Sequence, residues 1–217
     1  MSERFPGVYA PTGVFVCFEG GEGAGKSTQS TLLGERLESA GHVVLLTHEP
    51  GATPVGAVVR RIVLDPTTGE LADRTEALLY AADKAEHIHA VVRPALDRGE
   101  VVVTDRYVDS TLAYQGAGRS LDAAELEWVA RWATEDLRPH LTVLLDLDPA
   151  DGLTRFAGRD RIEGESIGFH QRVREEFLRL AAADPNHYLV LDARAPAEEI
   201  AEAVHGRVAP LLEEARR

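Results

Sequence analysis

Nine consecutive residues carry the densest chemistry in this chain: Gly20, Gly21, Glu22, Gly23, Ala24, Gly25, Lys26, Ser27 and Thr28. Glycines this close together let backbone N–H groups converge on an anion with no side chain in the way. The spacing G-x-x-x-x-G-K-[ST] is that of a phosphate loop. In such a loop Lys26 neutralises the β- and γ-phosphates of a nucleoside triphosphate, and the Ser27 hydroxyl ligates Mg²⁺. The chemistry implied is phosphoryl transfer from a magnesium–triphosphate. The acceptor is left open by these residues.

Other motifs narrow the class. A guanine-reading Asn-Lys-x-Asp sequence is absent, because the single asparagine is Asn186, between Pro185 and His187. That argues against a GTPase switch. A motor or transporter ATPase would be larger, with one hydrophobic strand ending in a lone aspartate before a catalytic glutamate. Here two apolar runs end in aspartate, at Asp105 and Asp146. A small kinase fits better.

The elements that must position these residues alternate between β and α. Val14 to Phe18 reads as a strand buried on both faces, and Lys26 to Ala40 as a helix stopped by Gly41. A second buried strand is expected at Val43 to Thr47, then a helix at Val55 to Leu64 after the Glu49-Pro50-Gly51 break. Arg74 to Leu96 suits a long helix bent near Pro94. Strands at Val101 to Thr104, Leu141 to Leu147 and Tyr188 to Leu191 alternate with helices at Asp122 to Thr134, from Pro149, at Phe169 to Ala183 and at Ala197 to Ala215. The expectation is one parallel five-stranded sheet flanked by helices, an α/β fold. It spans residues 14–217 as a single domain after a short N-terminal extension, 1–13. The charged, glycine-rich stretch at about 155–168 is expected to be a mobile lid.

Composition sets outer bounds. Hydrophobic residues make up 44% of the 217 and charged residues 27%, a normal globular balance. Formal net charge is −13, so a nucleic-acid-binding surface is not expected. Positive charge for an anionic substrate must be gathered locally. No apolar run approaches the roughly 20 residues of a membrane span. The first 13 residues lack the apolar core of a secretory signal, and Cys17 is the only cysteine. Together these point to the cytoplasm.

Four further motifs follow the phosphate loop: Glu49-Pro50-Gly51; Leu78 to Lys84; Asp105-Arg106-Tyr107 running on to Gly116; and Asp160-Arg161-Ile162-Glu163. In this order and spacing the set closely resembles the bacterial thymidylate kinases, P-loop nucleoside monophosphate kinases, over about Val14 to Leu191. The resemblance implies phosphorylation of dTMP to dTDP by ATP, with Mg²⁺, in a homodimer.

By the same resemblance, Tyr80 stacks on thymine and Lys84 donates to a thymine carbonyl. Ser110, Thr111 and Gln115 supply short polar contacts to the base, Tyr114 lies against the sugar, and Glu22 accepts from the 3′-OH. Glu49, with Pro50, holds either the sugar or a metal-bound water. Arg106 sits at a strand end, where open α/β sheets bind ligands, and its planar fork suits the acceptor phosphate. Asp105 either orients Mg²⁺ through water or holds Arg106. Some members carry an arginine inside the phosphate loop; this chain has none. The charge for the transferring group is then expected from Arg155, Arg159 and Arg161, with Arg161 the first choice. Family members commonly have Arg where this chain has His48, and often Gly where it has Ala52, so one acceptor-phosphate contact is expected to be either missing or pH-dependent.

Overall fold

The computed structural model describes residues 8–155 and 160–215. Five parallel strands form one sheet in the order β2-β3-β1-β4-β5: β1 (Val14–Glu19), β2 (Val44–His48), β3 (Val101–Asp105), β4 (Leu141–Asp146) and β5 (Tyr188–Asp192). β1 lies between β3 and β4, with Phe18 opposite Asp105 on one side and Val143 on the other. The chain leaves β1 toward β2 and β3, then crosses back to β4. The carboxyl end of β1 therefore opens at the point where strand order reverses, and the phosphate loop follows directly.

Alternation along the central strands feeds two cores. Val14, Val16 and Phe18 pack with Leu33 and Leu37 of α1 (Lys26–Ser39) and with Ile200, Val204 and Val208 of α9 (Ala197–Ala215). Phe15 and Cys17 face the other way, against Ile88, Val92 and Leu96 and against Leu126 and Ala130 of α6 (Ala123–Ala133). A third cluster joins Tyr114 and Leu144 to Phe169, Val173 and Phe177 of α8 (Ile167–Ala183).

Several elements differ from expectation for local reasons. β2 is an edge strand, so it is not buried on both faces: Val43 beside it is 67% exposed and Leu46 43%. α1 still closes on it, and a Cβ at Gly34 would come within 2.8 Å of Leu46. The long central helix is α3 (Asp73–His87), a widened turn over Ile88–Val92 with Arg93 N–H donating to Ile88 C=O, then α4 (Arg93–Asp97). Pro94 has no N–H to give and its ring crowds the carbonyl four residues back; the wide turn absorbs both. α8 starts at Ile167, two residues earlier than expected, because the Ser166 hydroxyl accepts from Phe169 N–H. α2 (Pro54–Leu64), capped by Thr53, lies within one residue of its expected span, and α7 (Pro149–Gly152) begins at the expected Pro149.

A second widened segment, Leu112–Gly118, follows the single turn α5 (Val108–Thr111). It turns Tyr114 and Gln115 into the crevice beside β1. Residues 8–12 are bound to the body: Val8 pairs with Leu137, the Thr12 hydroxyl donates to Leu96 C=O, and Tyr9 stacks on His187 with centroids 5.0 Å apart. Residues 1–7 of the expected extension lie outside the described residues. None of the described helices is long and apolar enough to cross a membrane.

Candidate active site

Gly25 takes φ +89° immediately before α1, a left-handed conformation that a side chain would strain. The turn it makes aims the helix N-terminus back into the loop, where free N–H groups and the dipole favour an anion. Lys26 is buried, its ammonium donating to Gly20 C=O at 3.2 Å and Gly21 C=O at 3.0 Å. Burial, and then the neighbouring Arg106, lower its pKa. The Ser27 hydroxyl donates to Asp105 Oδ2 at 2.6 Å, so a P-loop hydroxyl and a strand-end carboxylate meet beside the lysine. Arg155 Nη1 donates to Gly23 C=O at 2.6 Å.

Across the crevice, Arg106 follows β3 with φ +72°, a strained value for a residue with a side chain. Its guanidinium donates to Glu22 Oε1 at 2.7 Å, Ser110 Oγ at 3.2 Å and Gly20 C=O at 3.3 Å. The Tyr114 hydroxyl also donates to Glu22 Oε1, at 2.8 Å. Burial alone would raise the Glu22 pKa; Arg106 and Lys26 overcome it and hold the carboxyl at about 2. Beneath these groups Glu19, at the end of β1, accepts from the N–H groups of Tyr107 and Ser110 and from the Ser110 hydroxyl. It fixes the backbone that carries Arg106.

Tyr80 and Lys84 lie one turn apart on α3, with the Lys84 ammonium 6.0 Å from the Tyr80 ring centre. Lys84 is buried against Glu49 at 2.9 Å, and Glu49 also contacts His87 at 2.8 Å. His87 reaches Thr47 through its other nitrogen, at 2.7 Å. Phosphate loop, β3 end, α3 and the widened segment together enclose one cavity of about 710 Å³.

A family model described as thymidylate kinase matches residues 18–204. This chain belongs to the thymidylate kinase family. It is 55% identical over 200 residues to the thymidylate kinase of Cutibacterium acnes, covering 92% of this chain and 98% of that one. To the thymidylate kinase of Deinococcus radiodurans it is 53% identical over 191 residues, covering 87% and 92%. The crystal structure of thymidylate kinase from Ehrlichia chaffeensis superposes with a TM-score of 0.76 at 28% identity, covering 92% of this chain and all of that one.

In this family member the cavity is lined by Glu22 to Thr28, Glu49, Pro50, Tyr80, Lys84, Asp105, Arg106, Ser110, Thr111, Tyr114, Gln115 and Arg155. Gly20 and Gly21 act through their carbonyls, which hold Lys26. Arg161 is not among the lining residues. Its guanidinium pairs with Glu76, and its Nε donates to Gly69 C=O at 3.1 Å. In this structure the expected first arginine at the transferring phosphoryl, Arg161, thus lies beside Glu76 and not at the phosphate loop. Glu76 is wholly buried and needs cationic partners, and Arg161 serves that need, whereas Arg155 lies at the loop. Arg159 lies outside the described residues.

Arg106 pairs with Glu22 rather than Asp105, and Asp105 faces Ser27. Glu49 and Lys84 neutralise each other, so neither presents a bare charge to the cavity. Two functional candidates were missed from sequence. Arg60 of α2 lines the cavity and donates to Pro50 C=O at 2.8 Å, and buried Glu76 is contacted by Gln115, Arg119 and Arg161. The signal for Arg60 was its place on α2, one helix beyond Glu49-Pro50-Gly51, which only the turn at Gly51 brings back. His48 also lines the cavity; burial, then Arg60, lower its pKa, which favours the neutral ring.

Proposed function

We propose that this chain transfers the γ-phosphoryl group of ATP to the 5′-phosphate of dTMP, giving ADP and dTDP. One observation carries the reading: Lys26 and Ser27 of the phosphate loop share a single cavity with Tyr80, Arg106 and Gln115. Donor and acceptor sites so joined meet at the Glu22–Arg106 pair. The acceptor phosphate has a second pKa of about 6, so it is largely dianionic at neutral pH and needs no general base. Catalysis reduces to positioning and charge stabilisation.

In this reading Lys26 leaves the loop carbonyls for the β- and γ-phosphate oxygens. Arg106 and Arg60 hold the acceptor phosphate, with Arg60 supplying the contact that an arginine at position 48 would make. Arg155 supplies positive charge at the transferring group. Tyr80 stacks on thymine, with Lys84 at its edge and Ser110 and Thr111 beside the base. Glu22 accepts from the sugar 3′-hydroxyl, and Tyr114, tied to Glu22, leaves little room for a ribose 2′-hydroxyl. The residues fit Mg²⁺: Ser27 and Asp105 offer one hydroxyl and one carboxylate, and no cluster of three acidic, histidine or cysteine ligands occurs among the described residues. Mg²⁺ characteristically takes few protein oxygens and fills its shell with phosphates and water; bound there, it would offset charge on the β- and γ-phosphates.

A homodimer is part of the proposal. It is supported by apolar side chains exposed on three successively packed helices, α2, α3 and α6: Val55, Val58, Leu78, Trp128 and Trp132. Residues 14–217 as one domain, and a cytoplasmic site of action, complete the reading. A coupled assay with dTMP, dUMP, CMP and GMP tests it. Turnover is expected with dTMP, less with dUMP, and little with the others. A clear preference for the purine would overturn it.

A further inference from the structure

Gln115 Nε2 donates to Glu76 Oε1 at 3.0 Å, and both side chains are buried. Arg119 grips the same carboxylate in a fork, Nε to Oε1 at 3.0 Å and Nη2 to Oε2 at 3.1 Å, while Arg161 takes Oε2 from the other side. Arg119 is itself held, by Glu165 and by the Phe169 ring 5.0 Å from its central carbon. Glu76 is therefore fixed in place by two guanidinium groups rooted in different segments.

A primary amide has a donor end and an acceptor end. A carboxylate clasped by two arginines can only accept. Against it Gln115 must present its NH₂ group, and the carbonyl Oε1 becomes the end left for the cavity that Gln115 lines with Tyr80 and Lys84. Among the described residues no donor to that carbonyl is found. The sign of the hydrogen bond offered to a base is thus decided one residue away from the base.

We propose that Glu76 is a positioning residue for specificity: by fixing the orientation of the Gln115 amide it makes the site an acceptor for the imide N3–H of thymine or uracil and hostile to cytosine. Cytosine carries a lone pair at N3, which a facing carbonyl oxygen repels. A site with fixed hydrogen-bond polarity discriminates far better than an apolar pocket does. The inference rests on the thymidylate reading and adds the group that enforces pyrimidine choice.

The test compares kcat and KM for dTMP and dCMP at saturating MgATP. It uses the wild-type protein, Glu76→Gln, Gln115→Leu and the double variant. In Glu76→Gln the partner is itself an amide, so Gln115 is free to turn over. The ratio of kcat/KM for dTMP over dCMP should fall about 10- to 100-fold, chiefly through KM. Gln115→Leu should lower the same ratio, and adding Glu76→Gln to it should change the ratio no further. Should Glu76→Gln not fold, Glu76→Asp keeps the charge for both arginines but withdraws the oxygen from Gln115, and must also lower the ratio. An unmoved ratio in the folded Glu76 variant, or an equal drop in the Gln115→Leu background, overturns the proposal. A wild-type protein that leaves dTMP unphosphorylated overturns the thymidylate reading instead.

Discussion

Arg106 Nη2 and Glu22 Oε1 lie 2.7 Å apart where the phosphate loop faces the end of β3. The pair sits between the loop that holds the donor phosphates and the residues assigned to the acceptor. It holds the arginine in place, and a dianionic phosphate can compete for that guanidinium. The backbone helps to aim it, since Arg106 N–H donates to Phe18 C=O at 2.9 Å while φ is held at +72°.

Replacing this fork should separate activity from stability. Arg106→Lys keeps the charge but loses bidentate geometry, and kcat/KM for dTMP should drop about 10²–10³-fold, as for loss of one preorganised donor. Arg106→Gly should lose activity too, and because the relaxed backbone offsets only part of the lost Glu22 pair, its melting temperature should fall below that of Arg106→Lys. Steady-state kinetics and thermal melts on the two variants read these effects. Near wild-type turnover in Arg106→Lys would remove the residue from its proposed role.

Arg155 and Arg161 should fail in different ways. Arg155→Ala should lower kcat about 10³-fold, at the low end for an arginine acting on a transferring phosphoryl, with little change in KM for dTMP or in melting temperature. Arg161→Ala strips one of two cations from buried Glu76, so it should destabilise the fold by about 1–3 kcal/mol and raise KM for dTMP more than it lowers kcat. Denaturant melts alongside kinetics distinguish the two. The reverse pattern would return the transferring group to Arg161.

Glu19, just before the phosphate loop, and Glu22, within it, should give pH dependences of opposite sign. Glu22 titrates at about 2 when folded, below its usual 4.5. Its contribution to stability is complete above pH 4.5 and drains away as pH falls toward 2. Burial, reinforced by Asp109, raises Glu19 from 4.5 to about 7. Its contribution is complete below pH 4.5 and is lost as pH rises toward 7. Glu22→Gln should therefore flatten the acid limb of the melting-temperature profile. Glu19→Gln should flatten the fall between pH 5 and 7, and gain on the wild type at pH 8. Parallel profiles for wild type and variants would contradict both assignments.

Trp128 and Trp132 stand one turn apart on α6, 66% and 72% exposed, and Leu78 on the adjoining α3 is 59% exposed. So much outward apolar surface on neighbouring helices is the mark of an interface. Sedimentation should find the wild type dimeric. Leu78→Glu combined with Trp132→Glu should give a folded monomer, since both positions face outward. A monomeric wild type would exclude the homodimer.

Local rules explain what could be read from the chain before its shape was known. Gly25, Lys26 and Ser27 act through backbone conformation and a contiguous turn, so their spacing alone declares a phosphate site. Continuous apolar runs at Val14 to Phe18 and Leu141 to Leu147 mark buried parallel strands for the same reason. Asp105-Arg106 was legible because a strand end is a local feature and its rim position follows from the sheet. The exposure of β2 was not, because its sequence is as apolar as that of a central strand and only the order β2-β3-β1-β4-β5 places it at an edge. Which arginine lies at the phosphate loop and which pairs with Glu76 was also undecided by spacing. Arg155 and Arg161 are equally charged and six residues apart, and their positions follow from where buried Glu76 comes to lie. A carboxylate taken out of water must find cations within hydrogen-bond reach, and which cations are in reach is a property of the packed chain. The phosphate chemistry was thus written in consecutive residues, whereas its pairing of charges was decided by contacts between segments far apart in the chain.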